Sequence, residues 1–213
     1  MTDVVAAWER VVARVAAAAE RAGRDPASVR IVAASKTVDA ERIRPLLEAG
    51  CADLGENRAQ ELLAKAPALA DLAPCWHFIG PLQRNKVRAL APWVTWWHTL
   101  DRDALIPELA RRVPGARVLV EVNQAGEAQK AGCAPAEVAT LVDVAREAGL
   151  EVVGLMSVPP AGLDPRPFFA DLAARARDLG LTECSMGMSG DFEAAVEAGA
   201  TIVRVGSLVF GGR

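Results

Sequence analysis

The stretch Arg30-Ile-Val-Ala-Ala-Ser-Lys36 is a short apolar run that contains β-branched residues, and it predicts a β-strand. Asp39 follows as the N-cap of a helical pattern, and Gly50 ends that pattern. A strand followed directly by a helix is the start of a βαβ unit, in which successive strands run parallel.

Seven further runs predict strands, and helical patterns separate them. They are Ala52–Asn57, Trp76–Gly80, Thr95–Leu100, Arg117–Asn123, Glu151–Val158, Cys184–Ser189 and Thr201–Phe210. Eight alternating strands and helices favour an α/β fold built as a single (β/α)8 TIM barrel, with a doubly wound open sheet as the alternative. We expect one domain over residues 1–213, because no linker or change of composition divides the chain.

An extra helix is predicted before the first strand. Residues 1–23 carry apolar side chains at helical spacing and end in Gly23, which indicates a helix that packs on the barrel. The last predicted strand ends close to the last residue of the chain, so we expect no eighth helix. The N-terminal helix is then expected to cover the gap between the last and first strands.

The composition argues against several classes of protein and of partner. A formal net charge of −3 and a pI of about 5.5 give no general attraction to nucleic acid or to anionic membranes. The first residues lack a signal-peptide pattern, and no apolar run is long enough to span a bilayer. The four cysteines are far apart and form no C-x-x-C pair, which predicts reduced thiols, no metal framework and a cytoplasmic protein.

We expect the protein to be a monomer.

Polar residues collect at the predicted strand ends, where the chemistry of a parallel barrel gathers. These residues lie at or near the end of a predicted strand, or directly after it: Lys36, Glu56, Asn57, Asn123, Ser157, Ser189, Arg204 and Ser207. Their joint placement at one mouth is stronger evidence for a site than any one of them alone.

Lys36 is the sharpest candidate among them. Alternation along the first strand puts Val32, Ala34 and Lys36 on one face. If that face is the interior, the amine rises above small side chains, with room for a flat ligand, and can serve as the nucleophile of Schiff-base chemistry. The alternative is a solvated lysine at the start of a loop, which is the commoner role of an isolated strand-end lysine.

Two glycine–serine pairs favour a phosphate site. Gly187-Met-Ser-Gly-Asp191 joins the seventh strand to a helix, so Ser189 can offer a hydroxyl group near a helix N-terminus. Gly206-Ser207 belongs to the exit of the eighth strand, where a glycine lets the backbone approach an anion closely. The loops after strands seven and eight are the usual phosphate site of this barrel, although Ser189 could be only an N-cap.

Arg204 and the two histidines occupy otherwise apolar strands. We expect the guanidinium of Arg204 to point at the mouth and to meet a ligand or a carboxylate. His77 and His98 each follow a tryptophan, and no third ligand stands at metal spacing. Core or hydrogen-bonding roles are therefore favoured over zinc for both histidines.

Taken in order, these segments resemble the pyridoxal phosphate homeostasis proteins, which are single barrels similar to the N-terminal domain of alanine racemase. The matching segments cover nearly the whole chain: Ala33-Ala-Ser-Lys-Thr37, Gly55-Glu-Asn57, Trp76-His-Phe-Ile-Gly-Pro-Leu-Gln83, Asn85-Lys86, His98-Thr-Leu-Asp101, Val122-Asn123, Lys130-Ala-Gly132, Gly154-Leu-Met156, Gly187-Met-Ser-Gly-Asp191 and Val203-Arg-Val-Gly-Ser-Leu-Val-Phe-Gly211.

The resemblance implies that pyridoxal 5′-phosphate (PLP) is the cofactor, held as a Schiff base on Lys36 with Arg204 near its pyridine nitrogen. It also implies that Asn57 lies beside the cofactor. The residues implied to hold its phosphate are Ser189, Gly206 and Ser207. Two departures stand out. Ser207 occupies a position where threonine is common, which keeps the hydroxyl, and residues 159–167 form a short, proline-rich stretch.

Two functions remain open. The first is a non-catalytic protein of PLP homeostasis that buffers or delivers the cofactor, with PLP-requiring apo-enzymes as candidate partners. The second is an amino-acid racemase on the same barrel. The chain contains no tyrosine, so the tyrosine that alanine racemase uses as its second base is missing. An arginine at the pyridine nitrogen also weakens the electron sink, and the cofactor binder is therefore favoured.

Overall fold

The first strand, β1 (Arg30–Ala34), pairs in parallel with the last strand, β8 (Ile202–Val205), with Arg30 opposite Ile202. This pairing closes the sheet, and in the computed structural model eight strands follow one another in chain order around a closed barrel. The predicted (β/α)8 barrel is confirmed, and the alternative of an open sheet is wrong. The structure describes residues 3–211, so the two ends of the predicted domain, residues 1–2 and 212–213, lie outside it.

Helices separate the strands on the outside of the barrel. The remaining strands are β2 (Asp53–Glu56), β3 (Cys75–Phe78), β4 (Val94–Leu100), β5 (Arg117–Glu121), β6 (Glu151–Met156) and β7 (Glu183–Ser185). The helices are α1 (Val4–Arg21), α2 (Ala40–Glu48), α3 (Ala59–Lys65), α4 (Val87–Leu90), α5 (Ile106–Arg112), α6 (Val138–Glu147), α7 (Arg166–Asp178), α8 (Phe192–Glu197) and α9 (Ser207–Phe210).

The end of the chain differs from the sequence prediction. The eighth strand was predicted to run to Phe210 with no helix after it, but β8 ends at Val205 and α9 follows. The N–H groups of Val209 and Phe210 both donate to the carbonyl oxygen of Gly206, at 3.0 and 2.9 Å. A short apolar run suits a buried strand and a buried helical turn equally well, so its pattern alone did not separate them.

Apolar and polar side chains share the interior of the barrel. The buried interior cluster consists of Val32, Trp96, Leu119, Met156 and Ile202. Because strand side chains alternate with a period of two, the residues two positions beyond Trp96, Leu119 and Ile202 point the same way, nearer the carboxyl ends of the strands. These residues are His98, Glu121 and Arg204.

Helix α1 packs on the outside of the barrel against α2, α8 and α9. It begins at Asp3, whose carboxylate accepts from the N–H groups of Val5 and Ala6 at 3.1 Å. Arg14 and Arg21 form ion pairs with acidic residues of α8, at 3.0 and 2.8 Å. Across residues 3–211, no helix combines the length and the hydropathy that crossing a bilayer would require.

Candidate functional site

A cavity of about 490 Å³ opens at the carboxyl ends of the strands. Its lining includes all six residues that the sequence singled out as a cofactor site: Lys36, Asn57, Ser189, Arg204, Gly206 and Ser207. These residues come from the ends of β1, β2, β7 and β8, and the closure of the barrel brings them to one mouth.

Buried contacts from α3 hold the backbone just before Lys36. Lys65 donates from Nζ to the backbone carbonyl oxygen of Ser35 at 2.8 Å and to Oε1 of Glu56 at 2.5 Å. Ser35 donates its hydroxyl to the same Glu56 oxygen at 2.8 Å. Burial raises the pKa of Glu56, while the nearby Lys65 ammonium group opposes that shift.

A second contact holds the backbone just after Lys36. Thr37 has a φ of 63°, in the left-handed region that β-branched residues rarely adopt. Glu61 of α3 accepts the N–H of Thr37 at 2.6 Å through its Oε2. The conformation of the lysine-bearing turn is therefore imposed by its partners on α3.

Two lysines line the cavity, and their amines differ in environment. Lys130 pairs with Glu127 at 2.6 Å and donates to the carbonyl oxygen of Pro159 at 2.9 Å. Lys36 is exposed at the mouth, and within residues 3–211 its amine has no ion-pair partner. Lys36 is the more accessible of the two amines.

Arg204 is buried at the floor of the cavity and its guanidinium is anchored on one side. Nη1 donates to Oγ of Ser185 at 2.6 Å, and Nη2 donates to the carbonyl oxygen of Ser157 at 2.9 Å. Burial lowers the pKa of Arg204 to about 10, and the charges of Glu121 and Asp191 oppose that shift. Arg204 lines the cavity, and its hydrogen bonds go to a hydroxyl and a carbonyl instead of the ligand or carboxylate that the sequence led us to expect.

The loops after β7 and β8 meet at one side of the cavity. The N–H of Gly206 donates to the hydroxyl oxygen of Ser189 at 3.3 Å. A Cβ atom at Gly206 would lie 2.9 Å from the carbonyl oxygen of Ala34, so a larger residue there would disturb the end of β1. In the described part of the chain, the N–H groups of Ser189, Gly190 and Ser207 make no hydrogen bond.

Asn57 follows β2 and lies half-buried in the cavity wall. Its side-chain Oδ1 is buried and has no hydrogen-bond partner among the described residues. Gly80 packs so closely that a Cβ atom there would lie 2.1 Å from the carbonyl oxygen of Asn57. The absence of a side chain at Gly80 therefore lets the chain after β3 pass Asn57 at the mouth.

Sequence and structure comparisons agree on one family. The family model described as "Alanine racemase, N-terminal domain" matches residues 8–213. The pyridoxal phosphate homeostasis protein of Pseudomonas aeruginosa is 41% identical over 223 residues, which cover 100% of this chain and 97% of that protein. The protein of the same name from Aquifex aeolicus is 44% identical over 218 residues, covering 96% of each chain. This chain belongs to the pyridoxal phosphate homeostasis protein family.

Solved structures of similar chains support the same family assignment. PipY of Synechococcus elongatus, in a structure with PLP bound, superposes with a TM-score of 0.81 at 34% identity, covering 94% of this chain and 100% of that one. An unknown protein from Bifidobacterium adolescentis superposes with a TM-score of 0.91 at 36% identity, covering 99% of this chain and 97% of that one. A lysine decarboxylase from Selenomonas ruminantium, at 21% identity, shares only the fold.

The sequence reasoning missed two charged residues of the cavity wall, Glu121 and Lys130. Glu121 is the last residue of β5, and alternation from Leu119 would have placed it inside the barrel. Burial raises the pKa of Glu121 to about 7, with the charge of Asp101 adding to the shift and Arg204 opposing it. Lys130 lies in a loop, where no periodic signal marks its direction.

Proposed function

We propose that this protein binds PLP at the mouth of its barrel as a Schiff base on Lys36 and serves PLP homeostasis as a non-catalytic carrier or buffer. The observation that carries the proposal is the convergence of six residues, from the ends of four strands, on one cavity. The likeness to PipY, which was solved with PLP bound, supports the same ligand.

The polar groups of the cavity fit this cofactor. The unbonded N–H groups of Ser189, Gly190 and Ser207, with two serine hydroxyls, suit a phosphate that accepts several hydrogen bonds. Asn57 also lines the cavity, and its buried Oδ1 has no hydrogen-bond partner among the described residues.

The carrier role is proposed over the racemase alternative because the residues of the cavity can bind PLP but do not supply the second acid–base group of a racemase. When bound, PLP supplies an aldehyde carbon that reacts reversibly with a primary amine, and Lys36 is the accessible amine. Racemisation needs a second positioned acid–base group on the opposite face of the substrate. The chain has no tyrosine to supply this group. Arg204, at the floor of the cavity, donates hydrogen bonds to two acceptors, so it is not the second acid–base group.

The wider role belongs to the same proposal. We propose that residues 1–213 act as one domain, that the protein is a cytoplasmic monomer, and that PLP-requiring apo-enzymes are its partners. Size-exclusion chromatography with light scattering measures the oligomeric state, and a mass of twice the 22.5 kDa chain would contradict the monomer. Activation of a PLP-requiring apo-enzyme by the loaded protein measures delivery.

Borohydride mapping tests the binding site directly. The protein is loaded with PLP, reduced with sodium borohydride, digested, and analysed by mass spectrometry for a phosphopyridoxyl group. We expect the label on Lys36, with Lys130→Ala as the matched control that keeps it and Lys36→Ala as the variant that loses most of it. Preferential labelling of Lys65, Lys86 or Lys130 in the unaltered chain would overturn the assignment.

A further inference from the structure

A continuous line of hydrogen bonds runs through the barrel interior beneath the cofactor cavity. We call it the polar column, and its members are Asp53, His77, His98, Ser185 and Arg204. His77 contacts Oδ1 of Asp53 through Nε2 at 2.8 Å and Nε2 of His98 through Nδ1 at 2.9 Å. His98 Nδ1 lies 2.9 Å from Oγ of Ser185, which accepts from Arg204 Nη1 at 2.6 Å.

The column connects the two ends of the barrel. Asp53 is the first residue of β2 and pairs with Arg30, the first residue of β1, at 2.8 Å. Arg204 lies near the end of β8 and lines the cavity at the opposite end. All five members of the column are buried, so none of their hydrogen bonds is readily replaced by water.

The chemistry of the column gives its hydrogen bonds one direction. A guanidinium can only donate, so Oγ of Ser185 accepts from Arg204. The single hydroxyl proton of Ser185 is then available for Nδ1 of His98, and in that arrangement the proton of the His98 ring lies on Nε2. His98 therefore donates to Nδ1 of His77, and Nε2–H of His77 donates to the Asp53 carboxylate.

The reverse direction requires an additional buried proton. If His98 donated from Nδ1 to Ser185, then His77 would donate from Nδ1 and would need either a second ring proton or a protonated Asp53. Burial lowers the pKa of both imidazoles, and the charge of Arg204 adds to the shift at His98. Burial by itself would raise the pKa of Asp53, but hydrogen bonding to His77 and the charge of Arg30 outweigh it and hold that pKa below its usual value.

Neighbouring side chains hold the two rings in place, and they disfavour a metal ion at the Asp53 end of the column. Trp96 stacks on His77 with ring centroids 5.5 Å apart and an interplanar angle of 7°. Cys75 Sγ lies 3.7 Å from Nε2 of His77, which gathers three ligand-type atoms at the Asp53 end of the column. The Arg30 cation occupies the same Asp53 oxygen, which makes a metal cation unfavourable at that point.

We propose that Ser185, His98 and His77 are positioning residues, which orient the guanidinium of Arg204 toward the cofactor through the polar column. The proposal rests on the proposed function, because it assigns these residues to the PLP site. The two fixed acceptors, Ser185 Oγ and the Ser157 carbonyl oxygen, define the plane of the guanidinium. Its other N–H groups are thereby kept available for the cavity.

The first test uses the protein without cofactor. The chain has only two histidines, so ¹⁵N NMR of the imidazole nitrogens reports His77 and His98 without interference. At neutral pH we expect both rings to be neutral and protonated on Nε2, with Nδ1 shifts typical of hydrogen-bond acceptors. A proton on Nδ1 of His98, or a charged ring, would overturn the column as described, whatever ligand the protein binds.

The second test asks whether the column acts on the PLP site. Ser185→Ala removes the acceptor of Arg204, and we expect PLP affinity to fall about tenfold to a hundredfold and the absorption maximum of the loaded protein to shift. Ser185→Thr keeps a hydroxyl and should restore both. Leu119→Ala removes an interior side chain outside the column, so it reports the effect of lost packing alone.

The outcomes separate this inference from the proposed function. Equal affinity and equal absorption maxima in Ser185→Ala and Leu119→Ala would overturn the positioning role, even with PLP mapped to Lys36. A failure of the unaltered protein to bind PLP would overturn the proposed function and the positioning role together. A His98→Gln variant, which keeps a side chain able to accept and donate, provides an independent readout where Ser185→Ala does not fold.

Discussion

Lys65 Nζ donates to the backbone carbonyl oxygen of Ser35 at 2.8 Å, so a buried cation on α3 holds the chain one residue before Lys36. The same ammonium group lies 2.5 Å from Oε1 of Glu56, which is fully buried. The turn that presents Lys36 to the cavity thus depends on an ion pair beneath it. This pair belongs to the support of the proposed site and does not line the cavity itself.

Lys65→Met should strongly destabilise the protein. It leaves Glu56 buried without its cation, which typically costs about 3–5 kcal/mol. Chemical denaturation measures the change in the free energy of unfolding. Arg44→Met is the control, because it breaks the exposed pair with Asp71 and should cost far less. Equal losses in the two variants would show that the buried pair contributes no more than a surface one.

Glu121 should make stability depend on pH between about 4.5 and 7. Its pKa in the folded protein is raised from 4.5 to about 7, so the folded state holds this proton more tightly than the unfolded state. The protonated Glu121 side chain therefore stabilises the folded protein fully below about pH 4.5, and this stabilisation is lost as pH rises through about 7. The full loss amounts to about 3 kcal/mol.

Glu121→Gln tests this effect by removing the titration. The stability of the variant relative to the unaltered protein should increase from pH 5 to pH 8, measured by denaturation without cofactor. Taking this difference cancels other titrating groups, including the buried histidines. The control is Glu48→Gln, at an exposed position on α2. A constant difference across the pH range would place the Glu121 carboxyl in a more solvated environment than the structure shows.

Replacing Ser189 and Ser207 together by alanine should weaken PLP retention. Each hydrogen bond lost to a charged phosphate costs roughly 1.5–3 kcal/mol, or about tenfold to a hundredfold in affinity. Equilibrium dialysis gives the dissociation constants, and pyridoxal without phosphate should bind poorly to the unaltered protein. Ser28→Ala, at an exposed position before β1, is the control. An unchanged affinity in the double variant would mean that the phosphate lies elsewhere.

The loaded protein should not racemise alanine, serine or other common amino acids substantially. Removal and return of the α-proton on opposite faces need two positioned groups, and Lys36 supplies at most one. Chiral chromatography after long incubation measures turnover, with free PLP and Lys36→Ala as controls. Glu121 is the carboxyl that lines the cavity, so Glu121→Gln is the informative variant. Turnover far above both controls, and lost in Glu121→Gln, would favour the racemase alternative.

The sequence by itself determined the barrel and the position of the candidate site. Apolar runs with β-branched residues alternate with helical patterns, and the period of each pattern is a local property that can be read without tertiary structure. Lys36, Ser189 and Arg204 could be assigned to one mouth because parallel strands end on the same side of a barrel. The apolar run at Leu208–Phe210 was misread as strand because it is too short to show a period.

The tertiary structure alone decided how these residues are held. Lys65 and Glu56 form their ion pair across β2 and α3, and His77 reaches His98 from a neighbouring strand, with no spacing in the chain that encodes either contact. The same holds for Ser185 and Arg204, whose contact joins β7 to β8. Hydrogen bonds between strands depend on register and side-chain direction inside the closed barrel, and closure sets both only when all eight strands are in place.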